Sequence, residues 1–455
     1  MSRPQTHCAE SKLLRRARRD LPPGGLHPSS LQTLAARFAP YAYFEQCHRR
    51  LGDRFTLYPI DHPPLVMLAN PDDIAAVTAS DPCELHPGEG AKMIGPIVGS
   101  SSFMLLEEAE HMRARRSITP AFHRRVITEQ GALLHETVEH EVATLPENVA
   151  VALDPWTRAL TAKVILRTIF GEEDDLVRSL HGSVLSMLTI TATAALQAPK
   201  LRLLPGWRHS WSVFLARRAE VEAVIDLLIA RRRKQEPLHG RDLLDLLVER
   251  EADGDAGGSD GKLRDDLISM ITAGHETTTG QLGWALQLLA HNPHAQDRLI
   301  DEIDTGAEDN YLTAVIHETL RVRPVFLFAI PRAVVSPVEI GGYLYRPPAH
   351  LAACTYLMHR NPDLYRDPDR FLPERFLGGA PYPPTWLPWG GGRKHCLGRH
   401  FAMLELRTLL REILARNRVL PVARTIEAPR WRSAIVVPRD GCRIRLCPRH
   451  DGRRA

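Results

Sequence analysis

One cysteine, Cys396, ends a glycine-rich turn that reads Pro388-Trp-Gly-Gly-Gly-Arg-Lys-His-Cys-Leu-Gly398. Three successive glycines leave space for a flat, bulky group to approach the backbone. A helix-like run follows the cysteine, and the unpaired N–H groups and positive dipole at a helix N-terminus favour thiolate over thiol. A thiolate presented in this way suits a single axial bond to a metal in a planar cofactor, of which haem iron is the obvious example. From these residues alone, a buried cysteine without a metal stays open.

A second group of polar residues, Ala273-Gly-His-Glu-Thr277-Thr, interrupts a long proline-free run from Leu263 to His291. As a helix this run would be roughly 43 Å long, enough to cross a whole domain. Threonines are poor helix formers, and the Thr277 hydroxyl can bond a carbonyl one turn earlier, near Gly274. Such a bond loosens the helix and opens a notch, where this hydroxyl and the acid Glu276 can hold dioxygen and a water. A polar kink facing solvent is the alternative interpretation.

Charged residues whose spacing suits ion-pair or anion contacts occur in three further places. Glu318 and Arg321 are three residues apart and share a helix face, although most such pairs are ordinary surface pairs. His111 and Arg115 are four residues apart, so as cationic donors they can clasp a carboxylate from one side. Arg332 follows an Ile-Pro pair, and an ordinary surface strand residue is its alternative interpretation. Alone, none of the three predicts a function.

Composition and charge exclude several classes of protein. The 455 residues are 44% hydrophobic and 25% charged with a net charge of +4, which is typical of a soluble globular protein. Local arginine clusters do not force a nucleic-acid role, since solvated faces carry such clusters too. Seven cysteines without a CxxC pair indicate neither a disulfide framework nor a structural zinc site. No apolar run reaches signal-peptide or transmembrane length, which predicts a cytoplasmic protein without a transmembrane anchor.

The pattern along the chain predicts a basic leader over residues 1–30 and one large domain over residues 31–455. Helical periodicity dominates this domain, with strands expected from Val334 to Tyr356 and after Pro421. A glycine- and proline-rich segment from Pro82 to Ser102 is predicted to be a long loop. The sequence therefore predicts a mainly α fold with a minor β region.

The cysteine turn resembles the haem-ligand signature of the cytochrome P-450 family, Phe-x-x-Gly-x-Arg-x-Cys-x-Gly. Trp389 stands where the family has Phe, and it keeps an aromatic wall while adding an N–H donor. Lys394 stands where the family has Arg, and a lysine cannot make a planar two-point bond to a carboxylate. The residues around Thr277 resemble the family's oxygen-side motif, and Glu318 to Arg321, with the later Arg375, resemble its ion-pair motif. By these matches, in the family's order, the chain is identified as a member.

The resemblance implies a cytochrome P-450 fold, with a long central helix over a haem and with the cysteine loop and its following helix on the other side. It implies heme b (iron protoporphyrin IX) with Cys396 as the axial thiolate. Thr277 and Glu276 are the implied catalytic pair, which bonds dioxygen and relays protons. The residues implied to hold the coil before the cysteine are Glu318, Arg321 and Arg375. The residues implied to contact the cofactor are His111, Arg115, Arg332, Gly274, Trp389, Gly392, Lys394, His395 and Gly398.

The function implied by the resemblance is insertion of one atom of dioxygen into a hydrophobic substrate, such as a terpenoid, a steroid or a fatty acid. Electrons from NAD(P)H are expected through a separate ferredoxin and ferredoxin reductase, or a flavodoxin, because the haem fold uses almost the whole chain. Two alternatives stay open: an enzyme of the same fold that rearranges peroxides or dehydrates without external electrons, and a non-catalytic haem sensor or electron carrier. A basic patch for an acidic redox partner is expected at Arg113, Arg116, Arg124, Arg399 and Arg407.

Overall fold

The computed structural model describes residues 21–122, 127–128, 131–171, 174–191, 205–234, 242–252, 260–379 and 385–449. Its helices are α1 Ser29–Phe38, α2 Pro40–Leu51, α3 Pro71–Ala79, α4 Pro87–Ala91, α5 Gly95–Val98, α6 Glu108–Ile118, α7 Gly131–Val142, α8 Asp154–Phe170, α9 Asp175–Thr191, α10 Pro205–Arg232, α11 Leu243–Ala252, α12 Asp260–Ala290, α13 Pro293–Thr305, α14 Asn310–Val322, α15 Thr355–Met358 and α16 Arg399–Arg416. Its strands are β1 Arg54–Leu57, β2 Leu65–Leu68, β3 Leu85–His86, β4 Ala150–Ala152, β5 Arg332–Val334, β6 Val338–Ile340, β7 Tyr343–Tyr345, β8 His350–Ala353, β9 Asn417–Pro421, β10 Pro429–Arg432, β11 Ile435–Pro438 and β12 Arg443–Pro448.

The long helix expected from the proline-free run is α12, and its neighbours fix its position closely. A Cβ on Gly274 would lie 3.0 Å from Ile165 Cδ1 in α8, so glycine lets these two helices approach each other. A Cβ on Gly280 would meet side chains of β11. The Trp284 indole Nε1 donates to the Val436 carbonyl at 2.9 Å, so β11 also holds the helix by a hydrogen bond. These contacts determine where the polar stretch of α12 lies.

A five-stranded sheet in the order β1-β2-β8-β5-β3 carries Arg332 at the start of β5. Neighbouring strands pair antiparallel except for β2 and β8, which run parallel. The Gly25 N–H donates to the Thr56 carbonyl at 2.8 Å, so the end of the predicted leader lies against β1. Helix α1 also begins within that leader, at Ser29. Residues 1–20 lie outside the described part of the chain, and the division into a leader and a domain stays a prediction.

The segment from Pro82 to Ser102 is not a long loop, and that prediction is wrong. It contains β3, the short helices α4 and α5 and a 3-10 turn. Prolines stand in the first turns of both helices, where the missing N–H has no helical partner to lose. The Phe103 N–H donates to Asp266 Oδ1 in α12 at 2.7 Å, and Ser102 Oγ lies 2.6 Å from Ser269 Oγ. The breaker residues therefore mark helix starts, and α12 holds the end of the segment.

The prediction of a mainly α fold with a minor β region is confirmed. Helix α13 has Pro293 in its first turn, where a proline is compatible with a helix. Within the described ranges, no helix combines the length and the apolar character needed to cross a bilayer.

Candidate active site

The cysteine loop is closed by a backbone bond in which the Cys396 N–H donates to the Trp389 carbonyl at 2.8 Å. Gly392 has a φ of 65°, and an added Cβ would come within 2.2 Å of the Thr78 carbonyl oxygen in α3. A Cβ on Gly391 would come within 2.8 Å of Thr78 Cγ2. Glycine is therefore required here because the loop lies directly on a helix. Packing on α3 thus accounts for Gly391 and Gly392, and the approach of a flat cofactor to this loop stays a prediction.

Cys396 is half-buried just before α16, and Gly398 is the N-cap residue of that helix. Burial raises the pKa of the Cys396 thiol, and this effect outweighs the Gly398 backbone N–H and the charges of Arg115 and Arg399, which lower it. The helix-terminal N–H therefore favours thiolate as expected, but it does not outweigh burial. A metal ion bonded to the sulfur would supply what the protein groups do not, because a coordinated thiol is deprotonated.

Two cations beside the cysteine loop bond main-chain carbonyl groups. Arg115 Nη2 donates to the His395 carbonyl at 2.9 Å and lies 3.0 Å from His395 Nε2. Lys394 Nζ donates to the carbonyl oxygens of Met104 and Leu106 at 3.0 and 2.7 Å. Burial lowers the pKa of Lys394 to about 8, and the charge of Arg115 adds to this effect. The lysine therefore ties the loop to the segment before α6.

A third cation, Arg332 of β5, donates to the Gly391 carbonyl at 3.2 Å, and burial lowers its pKa to about 10. His111 in α6 is 3% exposed, and its Nε2 has no hydrogen-bond partner among the described residues. Burial, together with nearby cations, lowers the pKa of His111 to about 3, so the ring is neutral. In the protein alone the pair therefore offers one cation and one neutral ring, and its contact with a propionate stays a prediction.

These buried groups fit the carboxylates of a haem. In the part of the chain that the structure describes, Arg115, Arg332 and Lys394 have no carboxylate within ion-pair distance. Glu107 raises the pKa of both Lys394 and Arg332 but forms no ion pair with either, so a ligand with two carboxylates would further stabilise these buried cations. His111 adds a nitrogen that lacks a partner. If haem binds here, Cys396 would hold the iron and the other four residues would face the propionates, and these individual roles stay predictions.

Helix α12 is buried along most of its length but opens at Ala273, which is exposed, and at Gly274 and Thr277, which are partly exposed. Thr277 Oγ1 donates to the Ala273 carbonyl at 2.7 Å, in the geometry that the sequence suggested. The side of Gly274 that lacks a Cβ faces Ile165 in α8, so helix packing explains the glycine. A contact between Gly274 and the cofactor stays a prediction.

The Glu276 carboxylate lies in a buried ion-pair cluster. Its Oε1 is 3.0 Å from Arg158 Nη2 in α8, and its Oε2 is 2.7 Å from Arg432 Nε in β10. Burial raises the pKa of Glu276, but the neighbouring His275 and the two arginine charges outweigh burial and lower it to about 2. The carboxylate is therefore ionised and held between α8 and β10, and its role in proton relay stays a prediction.

The structure brings Glu318, Arg321 and Arg375 together. Glu318 and Arg321 are both 0% exposed and form a two-point ion pair with both N···O distances at 2.7 Å. Arg375 Nε and the Leu372 N–H donate to Glu318 Oε1 at 3.2 and 2.8 Å. The two arginines thereby hold the coil that leads to the cysteine loop. The carbonyl oxygens that accept their remaining bonds are those of His359, Arg366, Asp367, Pro368 and Arg370.

Sequence reasoning gave no role to two buried polar residues near the site. His359 Nε2 accepts from the Leu387 N–H at 3.1 Å, and burial lowers the pKa of His359 to about 3, so the ring stays neutral. Burial raises the pKa of Glu405 in α16 to about 8, while the Thr278 hydroxyl of α12 lowers it less. Neither carboxyl oxygen has an aligned hydrogen bond among the described residues. The available signal for Glu405 was one acid within the apolar face of the helix that follows Cys396.

Comparison with known proteins agrees with the resemblance seen in the sequence. A protein-family model described as cytochrome P-450 matches residues 22–444. The protein named cytochrome P-450 135B1 from Mycobacterium tuberculosis is 35% identical over 439 residues, which cover 95% of this chain and 92% of that protein. The protein named cytochrome P-450 137 from the same species is 34% identical over 439 residues, which cover 94% of this chain and 91% of that protein.

Solved structures match the fold over almost the whole chain. Retinoic acid-bound cyanobacterial CYP120A1 gives a TM-score of 0.81 at 21% identity, covering 94% of this chain and 99% of that chain. The heme domain of cytochrome P450DA gives a TM-score of 0.81 at 22% identity, covering 94% of this chain and 97% of that chain. At these identities the likeness establishes the fold alone.

Proposed function

Because the chain belongs to the cytochrome P-450 family, and is therefore a haem-thiolate monooxygenase, we propose that it inserts one atom of dioxygen into a C–H bond of an apolar substrate. Cys396 is the proposed axial ligand, since its loop lies beside buried cations suited to haem carboxylates. The single observation that carries the oxygen chemistry is the bond from Thr277 to the Ala273 carbonyl, which places a hydroxyl on the open stretch of a buried helix.

The haem, when bound, supplies the redox chemistry that activates dioxygen, while the protein supplies binding, orientation and protons. The Thr277 hydroxyl can leave the Ala273 carbonyl and bond a polar reactant instead, because a hydroxyl both donates and accepts. Glu276 is the proposed proton carrier between the arginine cluster and Thr277. Because its pKa is lowered to about 2, Glu276 takes up a proton only if it first parts from Arg158 or Arg432, so the proposed relay includes a movement of this cluster.

The proposed substrate is hydrophobic, in the range of a terpenoid, a steroid or a fatty acid. Met93 and Phe326 support this, since they are 49% and 39% exposed in two of the segments expected to form the pocket walls. Residues 192–200 of a third segment lie outside the described residues. A hydrophobic library screened for shifts of the Soret band would identify the class. The segments expected to form the walls are 85–103, 185–200, 270–277, 325–329 and 433–436.

Electrons are proposed to arrive from NAD(P)H through a ferredoxin and its reductase, or through a flavodoxin. Arg113, Arg116 and Arg399 are exposed and Arg407 is partly exposed, which supports a basic docking patch, while Arg124 lies outside the described residues. Reversing the charges at Arg113 and Arg399 is expected to slow reduction and to weaken its salt dependence. Unchanged reduction would contradict the patch. A cytoplasmic location belongs to the same proposal and is checked by cell fractionation.

Two measurements test the proposed function. The reduced CO complex is expected to show a strongly red-shifted Soret band. Cys396→Ala is expected to lose this band. Cys47→Ala, which changes a buried cysteine outside the loop, is the control and is expected to retain it. Survival of the band in Cys396→Ala would refute the assignment of the ligand. Turnover that depends on NAD(P)H and redox partners supports monooxygenation. Turnover of a peroxide without NAD(P)H and redox partners would favour an enzyme that rearranges peroxides. A haem spectrum that no substrate changes, together with no turnover, would favour a haem sensor or electron carrier.

A further inference from the structure

A pocket of about 630 Å³ lies next to the ion-pair cluster of Glu276, because two arginines belong to both. Arg158 and Arg432 line the pocket and also contact the Glu276 carboxylate. Pockets of this size accept a small organic molecule. The positive residues that line it are Arg37, Arg158, Arg430, Arg432 and Arg439.

The pocket has more positive than negative charge. Asp154 is the acid that lines it, and Asp154 pairs with Arg432. Among the described residues, Arg37, Arg430 and Arg439 have no carboxylate partner. Burial lowers the pKa of Arg37, and the charge of Arg430 lowers it further, as expected for two cations that repel each other. A bound anion would remove this repulsion.

One of these arginines is buried with unused bonding capacity. Arg432 is 4% exposed, and its Nη2 has no hydrogen-bond partner among the described residues. Its Nε lies 2.7 Å from Glu276 Oε2 without hydrogen-bond alignment, so that contact is ionic only. A buried donor without an acceptor is costly, and the cost falls when a ligand supplies one. Arg432 therefore adds a buried, incompletely bonded cation to the wall of the pocket.

Aromatic side chains provide the other half of the pocket. Phe38 is 70% exposed although it is a large apolar residue at the end of α1. Trp431 also lines the pocket, and its Nε1 donates to the Ala36 carbonyl at 2.7 Å, which fixes the indole ring. A fixed ring and an exposed phenyl group suit the apolar part of a ligand.

We propose that this pocket binds an organic anion, with its charged group on the arginines and its apolar body against Phe38 and Trp431. The oxygen chemistry at Thr277 requires no such site, so this inference does not depend on the proposed function. Since Arg158 and Arg432 also hold Glu276, an anion in the pocket competes for the same donors. The anion is either the charged end of a substrate or a separate effector. In both cases the arginines would bind its charged group in the same way.

Octanoate is the probe for this site, and the haem-loaded full-length protein is the sample. Calorimetry is expected to show binding of octanoate that is about tenfold or more tighter than that of octanol, since the alcohol lacks the charge. The double variant Arg37→Gln and Arg430→Gln is expected to weaken octanoate binding by about tenfold or more. Arg424→Gln is the matched control, because Arg424 is an exposed arginine outside the pocket and is expected to change little.

The Soret band, recorded in the same titration, separates the two sources of the anion. A Soret shift whose midpoint moves with the arginine variants identifies the anion as the end of a substrate. Heat without a Soret shift identifies a separate effector, and both results support the site. Equal binding of octanol and octanoate would overturn the proposal. The proposal would also be overturned if Arg430→Gln and the double variant both bind octanoate as tightly as the unaltered protein does, while their haem spectra are normal.

Discussion

Replacing Glu318 by glutamine tests whether the buried ion pair holds the cysteine loop. The substitution Glu318→Gln keeps the shape of the side chain but removes its charge. Both Glu318 oxygens accept from Arg321 at 2.7 Å, and Oε1 also accepts from Arg375 and from the Leu372 N–H. A glutamine amide nitrogen would have to face one set of these donors, and it accepts no hydrogen bond. The change therefore leaves Arg321 charged, buried and only partly bonded.

The size of the effect follows from complete burial. Glu318 and Arg321 are both 0% exposed, and removing one partner of such a pair costs about 3–5 kcal/mol. Unfolding entropy near 2 cal/mol/K per residue converts each kcal/mol to about 1 °C for a chain of 455 residues. The expected fall in the thermal midpoint is therefore about 3–5 °C. Loss of haem is expected as well, because Arg321 and Arg375 then grip the coil before Cys396 less firmly.

The assay measures the thermal midpoint and the ratio of haem to protein from the reduced CO spectrum. Glu220→Gln is the control, because Glu220 and Arg217 are also three residues apart but are exposed on α10. Exposed pairs contribute about 0–1 kcal/mol, so this variant is expected to match the unaltered protein. If Glu318→Gln loses no more haem and no more thermal stability than Glu220→Gln, the reasoning about the buried pair is refuted.

Three further substitutions test other contacts. Gly392→Ala is expected to reduce haem loading, because the new Cβ would lie 2.2 Å from a carbonyl oxygen. Gly378→Ala is the control, since Gly378 has open space around it, and equal haem loading in the two variants would contradict the packing argument. The pKa of Glu405 is raised in the folded protein, so the unaltered protein loses stability as pH rises from 4.5 toward 8, by about 3 kcal/mol at pH 7. Glu405→Gln removes this loss, so its thermal midpoint should exceed that of the unaltered protein by an amount that grows with pH. A pH-independent difference would refute this. Gly274→Ala crowds Ile165 at a cost of about 1–3 kcal/mol, which the roughly 1 kcal/mol helix preference of alanine partly offsets. Adding Ile165→Val should relieve the crowding in a double-mutant cycle, and additive effects would exclude that contact.

The parts of the site that could be predicted from the sequence depend on short-range geometry. Glu318 and Arg321 share a helix face whatever surrounds them, and Thr277 reaches the carbonyl four residues earlier in any helix. Cys396 follows a turn whose glycines are visible in the sequence. The fold class followed from helical periodicity, which is equally local. Each of these features is fixed by residues only a few positions apart.

The features that the sequence did not reveal depend on contacts between distant segments. Lys394 bonds carbonyl groups almost 290 positions earlier, and Arg432 reaches Glu276 from a strand with no recognisable motif. Charge states also depend on burial, which is why His111 is neutral and why the thiol pKa of Cys396 is raised. The segment from Pro82 to Ser102 illustrates the same limit, since its prolines begin helices that are held by α12.

The coil before the cysteine is held through its carbonyl oxygens, and a carbonyl is the same in every residue. The side chain of Arg366 in that coil is 95% exposed and, among the described residues, pairs only with the adjacent Asp367, so it does not help to hold the coil. Mutations at such positions alter the charge and shape of the outer surface but leave the path of the chain intact. Substitutions on this surface can therefore change which partners it recognises while the position of Cys396 is kept.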